Sequence, residues 1–223
     1  MGQKKENINL GIGLNLVIFI LELYASMVQF CGTDLLFVGE GFTLGSGLNM
    51  FYWFTIDSNI LLGVSSLLMM CFYIRYKRNK KAVPRGIHYF KLMSTSATTL
   101  TFIVTFIFLL PSCIFSNSDV SMLFVNANVF YHVVCPLLGL VSVVFGSFKH
   151  LRWYYGFLFM VPSFIYAPVY LCGYLFSWGL FYMDFYGFFS IWGGFVVPIL
   201  VFAISFLCGL IVIKLNNIFH NCP

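Results

Sequence analysis

The chain has 223 residues, of which 61% are hydrophobic and 9% charged, with a formal net charge of +5 and a mean hydropathy of +0.94. A soluble domain ordinarily carries roughly 25% charged residues, so there is too little polar surface here to coat a water-soluble globule. This excludes a soluble enzyme or a soluble nucleic-acid-binding module and points to an all-α integral membrane bundle, one domain over residues 1–223, with lipid as its outer solvent.

In chain order, residues 1–6 are charged and are followed by an apolar run over 8–30. That run exceeds the roughly 7 to 15 residues of a signal-peptide core, so it reads as a retained first span. Glu6 stands where an N-terminal Met-Gly myristoylation motif needs Ser or Thr, so no lipid anchor is expected. Further apolar stretches at 50–74, 88–110, 123–147, 153–176 and 190–213 bring the expectation to six transmembrane helices. The connections are a glycine-rich loop, a strongly basic loop over 75–86, a loop over 111–122, a short turn over 148–152 and an aromatic loop over 177–189.

Lys and Arg are retained on the cytoplasmic side of short loops. With six spans, Lys4 and Lys5, the group Arg75, Lys77, Arg78, Lys80, Lys81, Arg85 and Lys91, then Lys149, Arg152 and Lys214 all fall on one side. Asp34, Glu40, Asp119 and Asp184 fall on the other, so both termini are expected in the cytoplasm. The basic loop reads as an orientation signal that also meets anionic membrane lipids, with no nucleic-acid partner.

The seven cysteines form no C-x-x-C pair and no ligand-like spacing, so neither metal nor redox motif is expected. Cys31, Cys113 and Cys172 lie towards the outer side, where a disulfide is chemically possible. No Walker, dinucleotide, EF-hand or H-E-x-x-H pattern occurs, and no cofactor is implied. The Gly-Phe-Thr-Leu-Gly run at 41–45 mimics a nucleophile elbow without the strand-turn-helix context that gives one meaning. The aromatic run from Trp178 through Phe181, Tyr182, Phe185, Tyr186, Phe188, Phe189 and Trp192 reads as an interfacial belt or the floor of a lipid cleft.

Ionisable groups inside a bilayer cost at least about 2.5 kcal/mol each, which makes them functional candidates. Glu22, Asp57 and His132 qualify, at roughly 12, 10 and 14 Å from the outer ends of their spans for a rise of about 1.5 Å per residue. Polar stripes extend this outer layer: Asn15, Glu22, Ser26 and Gln29 on the first span, Thr55, Ser58 and Asn59 on the second, and Asn128 one turn before His132. Seven Ser and Thr residues between Ser94 and Thr105 give the third span a hydroxyl-rich face suited to lining a polar cavity. Each Ser or Thr also has the ordinary role of bonding a carbonyl one turn back, and each buried acid that of neutralising a partner.

The stretch Phe51-Tyr52-Trp53-Phe54-Thr55-Ile56-Asp57-Ser58-Asn59-Ile60-Leu61 and the stretch Tyr131-His132-Val133-Val134-Cys135-Pro136-Leu137 resemble the androgen-induced and androgen-dependent membrane hydrolase family, particularly its bacterial branch. The likeness extends over nearly the whole chain and includes the six-span plan, although Phe181-Tyr182-Met183-Asp184-Phe185-Tyr186 replaces a proline-containing segment of the family. Animal members are threonine hydrolases that cleave fatty acid esters of hydroxy fatty acids within the bilayer. The resemblance implies a Thr55 nucleophile and a His132 base, a lipid ester substrate and a bacterial cell membrane location. An oxyanion would then fall to Asn59, Asn128 or Ser58, and Glu22 or Asp57 would be the candidates for orienting the imidazole. Asp57 lies about 200° around the helix from Thr55, so it cannot share that face. The competing readings are a small-solute or proton carrier built on the Glu, Asp and His layer, and a structural membrane protein whose polar groups fasten helices.

Overall fold

The computed structural model describes residues 8–32, 46–146, 150–179, 184, 186, 189 and 196–220. Outside these lie Lys4, Lys5, Asp34, Glu40, the 41–45 turn, Lys149, the start of the sixth expected span, Cys222, and Phe181, Tyr182, Phe185, Phe188 and Trp192 of the aromatic loop. The described residues form helices and turns without a strand: α1 (Ile8–Cys31), α2 (Phe54–Asn79), α3 (Arg85–Phe115), α4 (Ala127–Val144), α5 (Tyr155–Phe159), α6 (Val161–Leu175) and α7 (Val196–His220). Five of these, α1 to α4 and the Ile199–Ile218 part of α7, are long and apolar enough to cross a membrane. The fifth expected span is divided: Pro162 follows the break at Met160, and the longer piece, α6, has 15 residues. A proline has no N–H to continue a helix but is tolerated in its first turn.

Two other prolines shape α3 and α4. Pro111 lies inside α3 and Pro136 inside α4, and each is preceded by a five-residue π turn, Thr105–Leu109 and Phe130–Val134. The residue before each proline closes the wider ring, Leu110 N–H to the Thr105 carbonyl and Cys135 N–H to the Phe130 carbonyl. A proline ring in a regular helix clashes with the carbonyl four residues back and cannot bond to it. Widening one turn shifts that carbonyl aside and keeps neighbouring backbone groups paired, which lipid demands. For this reason α3 runs past the expected end at residue 110.

The bundle is fastened by polar side chains. Between α2 and α3, Ser65 meets Ser94 at 2.7 Å and Ser58 meets Thr101 at 3.0 Å. Most hydroxyls of the α3 stripe bond carbonyls one turn back, as Thr95 does to Lys91 at 2.9 Å and Thr99 to Thr95 at 2.7 Å. α1 and α2 approach so closely that a Cβ on Gly63 would lie 2.9 Å from the Cβ of Glu22, so only glycine fits there.

At the end where α2 leaves the bundle, Arg75, Lys77, Arg78, Lys80, Lys81, Arg85, Arg152 and Lys214 are all exposed. Lys77 Nζ donates to Asn9 Oδ1 at 2.9 Å, and the Asn217 side chain brackets the Leu151 backbone at 2.9 and 2.7 Å. The first turn of α1 and the last turns of α7 therefore share this basic end. Lys91, grouped by sequence with the basic loop, is instead a bundle residue. It lies six positions inside α3, is 1% exposed, and donates to Ser66 Oγ at 2.6 Å. Its long stem carries the ammonium away from the nearby membrane face and into the core. Glu22, 2% exposed, lies within Coulombic reach of Lys91 and against the Cys135 thiol. Interior ionisable groups thus number at least four, and one of them, Lys91, is basic and within reach of Glu22.

Removing one member of a buried pair leaves the other uncompensated, at about 3–5 kcal/mol, whereas removing both is far milder. Glu22→Gln and Lys91→Met should therefore each lower thermal stability in detergent markedly, and the double variant should lose less than the sum. Strict additivity in that double-mutant cycle would contradict the pairing.

Candidate functional site

His132 sits in the π turn of α4, 6% exposed. Its Nδ1 lies 2.6 Å from the backbone carbonyl oxygen of Leu123. A carbonyl only accepts, so Nδ1 carries the proton and Nε2 presents the lone pair. That carbonyl is available because the chain breaks before α4. Residues Val120–Leu123 form a 3-10 turn, Asn126 takes φ 52, and only then does the helix begin. Asp119 starts the turn by accepting from Ser121 N–H at 2.8 Å and Ser121 Oγ at 2.7 Å. These two bonds hold its carboxyl below the ordinary range. Asn128 Nδ2 donates to the Met122 carbonyl at 2.8 Å and clips the turn onto α4.

Thr55 is the second residue of α2, because Trp53 is extended (φ −105°, ψ 117°) and the helix starts after it. The N–H groups of Ile56 and Asp57 bond the Trp53 carbonyl, but the first amides of a helix have no intrahelical acceptor. Against the Thr55 hydroxyl and amide lies the Tyr186 phenol. The Tyr186 ring is caged by Trp53, Tyr166 and Tyr170 with centroids 6.0, 6.5 and 5.7 Å away. Its backbone N–H donates to Tyr170 Oη at 3.3 Å, and that hydroxyl donates to Asp184 Oδ1 at 3.0 Å. Burial pushes the Tyr186 phenol up to about 12.

Two cavities meet at Thr55. The first, about 300 Å³, is lined by Thr55 and His132 together, with Gln29, Ser118 and Asn128 adding polar atoms to its wall. The second, about 270 Å³, lies among α2, α3, α6 and α7 and is walled by residues such as Leu100, Val104, Ala167 and Phe202. Thr55, Leu109 and Tyr186 line both. Residues 77 positions apart in sequence thus face one space, with a hydroxyl and an imidazole of fixed tautomer.

The other residues singled out by sequence are engaged elsewhere. Asn59 Nδ2 donates to the carbonyls of Thr55 at 2.7 Å and Tyr131 at 3.1 Å, tying α2 to the π turn of α4 and spending both its N–H bonds. Ser58 Oγ bonds the Thr55 carbonyl at 3.0 Å and Thr101. Neither lines the His132 cavity; Asn128 does, with its amide engaged as described. Glu22 belongs to the Lys91 and Cys135 group, and half-buried Asp57 lines neither cavity, so the partner at Nδ1 is the Leu123 carbonyl. Among the described residues no group of three His, Cys, Asp or Glu is suited to a metal, and Cys31, Cys113 and Cys172 are unpaired. Sequence reasoning missed the Leu123 carbonyl and the Thr55 amide, which are backbone groups, and Tyr186, which was one aromatic among eight.

In ¹⁵N-histidine spectra of the purified protein at neutral pH, His132 should appear protonated at Nδ1 and bare at Nε2. The opposite tautomer would remove the Leu123 contact from the account.

No protein-family model, curated protein or solved structure matches this chain. The coarse class rests on the five apolar helices long enough to cross a membrane.

Proposed function

We propose that this chain is an intramembrane hydrolase of lipid esters, with Thr55 as nucleophile and His132 as base. The observation that carries the reading is the shared cavity: Thr55 and His132 face it from different helices, and the Leu123 carbonyl fixes the imidazole with Nε2 free to take a proton. An alkyl hydroxyl becomes an effective nucleophile only when such a base accepts its proton.

In the proposed cycle Thr55 Oγ1 attacks the ester carbonyl carbon while its proton passes to His132 Nε2. The oxygen of the tetrahedral intermediate takes its negative charge at the positive end of α2, where the Thr55 N–H and the Tyr186 hydroxyl lie together. The intermediate collapses, the bond from acyl carbon to leaving oxygen breaks, and Nε2 returns the proton to the departing alcohol. A water, deprotonated by Nε2, then attacks the acyl-threonine and releases a carboxylic acid, and Thr55 recovers its proton. The sequence resemblance makes fatty acid esters of hydroxy fatty acids the first substrates to test. The reading includes six crossings with α5 and α6 together as the fifth, cytoplasmic termini and a bacterial cell membrane. It is supported by the gathering of the described exposed basic residues of the loops at one end of the bundle.

A proton carrier is the second reading, and the observation favouring it is the burial of two ionisable groups, Glu22 and Lys91, within Coulombic reach of each other. Against it, Glu22 and His132 occupy separate surroundings, so the described residues form no continuous acidic layer.

Loss of either member of such a dyad removes general-base activation, worth about 10²–10⁴ in rate. Thr55→Ala and His132→Ala should therefore lose ester hydrolysis and fluorophosphonate labelling by a hundredfold or more at unchanged thermal stability. Unaltered labelling and hydrolysis in both variants would refute the mechanism. Proton flux in liposomes that depends on Glu22 and survives both variants would favour the carrier.

A further inference from the structure

The two cavities that meet at Thr55 differ in what they offer a ligand. The His132 cavity holds an imidazole and amide side chains. In the second cavity the polar side chains already have partners. Thr105 Oγ1 donates to the Thr101 carbonyl at 2.9 Å, Ser163 pairs with Ser205 at 3.0 Å, and Tyr166 Oη donates to the Tyr52 carbonyl at 2.6 Å. Thr101 meets Ser58 at 3.0 Å and Tyr170 meets Asp184 at 3.0 Å. What remains for a ligand is hydrocarbon, except at the Thr55 and Tyr186 junction.

The chemistry proposed above then assigns each arm of the ester to a side. The leaving oxygen must take its proton from His132, so the alcohol arm lies in the cavity that His132 lines. The acyl carbon stays bonded to Thr55 Oγ1 when the bond to the leaving oxygen breaks, and its chain must point away from that oxygen. Resting on the hydrolase reading, we propose that the second cavity is the acyl pocket and that its volume sets acyl-chain preference. A dry cavity of about 150 Å³ takes the six carbons of benzene, so about 270 Å³ takes roughly ten. Ser163, Ala167 and Leu171 stand four residues apart on one face of α6 and form one wall. Ala167, in the middle of that wall, is the smallest of the three, so the space opposite it is part of what the acyl chain fills.

The test uses the full chain in detergent micelles with p-nitrophenyl esters of four to sixteen carbons. kcat/KM should rise with chain length to about ten carbons and then level. Ala167→Leu should lower the decanoate-to-butyrate ratio of kcat/KM at least tenfold, and Leu171→Ala should move the plateau to longer chains. A ratio unmoved by either variant overturns the assignment. Binding of the free fatty acids to the Thr55→Ala protein separates this failure from failure of the hydrolase reading. If no ester is cleaved, hydrolysis falls. A fatty-acid Kd that tightens up to about ten carbons and weakens in Ala167→Leu still upholds the pocket, whereas a Kd indifferent to length and to Ala167 overturns it.

Discussion

Inside lipid a backbone N–H or C=O without a partner is heavily penalised, and Pro111 and Pro136 each remove an N–H from inside a long apolar helix. The structure meets both losses with a π turn immediately upstream. Much of the site follows. The π turn of α4 carries His132, and Tyr131 in the same turn offers its carbonyl to Asn59 and so binds α4 to the start of α2. The π turn of α3 carries Leu109, one of three residues common to both cavities. π turns recur at functional sites because they redirect side chains without ending the helix.

A division of labour separates the polar groups of the interior. Ser58, Ser65, Ser66, Asn59 and most hydroxyls of α3 spend their hydrogen bonds on carbonyls and on one another, and they hold helices together. Glu22 of α1 and Lys91 of α3 lie within Coulombic reach of each other, and Lys91 is bonded to Ser66 of α2. Near the end of the bundle opposite the basic residues, the Thr55 hydroxyl, the Nε2 side of His132 and Tyr186 border one open space. Each is held by a neighbour that plays no direct chemical part, namely the Trp53 break before α2, the Leu123 carbonyl and the cage of aromatic rings. Rigid support of this kind is what lets a small set of groups act on a bond in a low-dielectric setting.

The apolar helices were legible from sequence because hydropathy and length are one-dimensional properties. The break at Met160 was half legible, since Pro162 is visible but its effect depends on the turn around it. His132 stood out because an imidazole is rare in lipid. Thr55 did not stand out by itself, since a membrane threonine usually bonds a carbonyl; only the family resemblance raised it. Lys91 was misplaced because charge counting assigns a basic residue to the nearest loop and ignores a stem long enough to reach the core. The imidazole's partner could not be read at all, being a backbone carbonyl exposed by a helix break. Asn59 and Ser58 looked available because a sequence records donors without recording what already occupies them.

The claim on which the account turns is that Thr55 becomes acylated. Rapid quenching of the protein during turnover of a slowly hydrolysed lipid ester, followed by proteolysis and tandem mass spectrometry, reads this directly. The account predicts an acyl mass on the peptide bearing Thr55, localised to that residue and absent in His132→Ala. Hydrolysis proceeding with Thr55 unmodified, or with the acyl group on another residue, would contradict it.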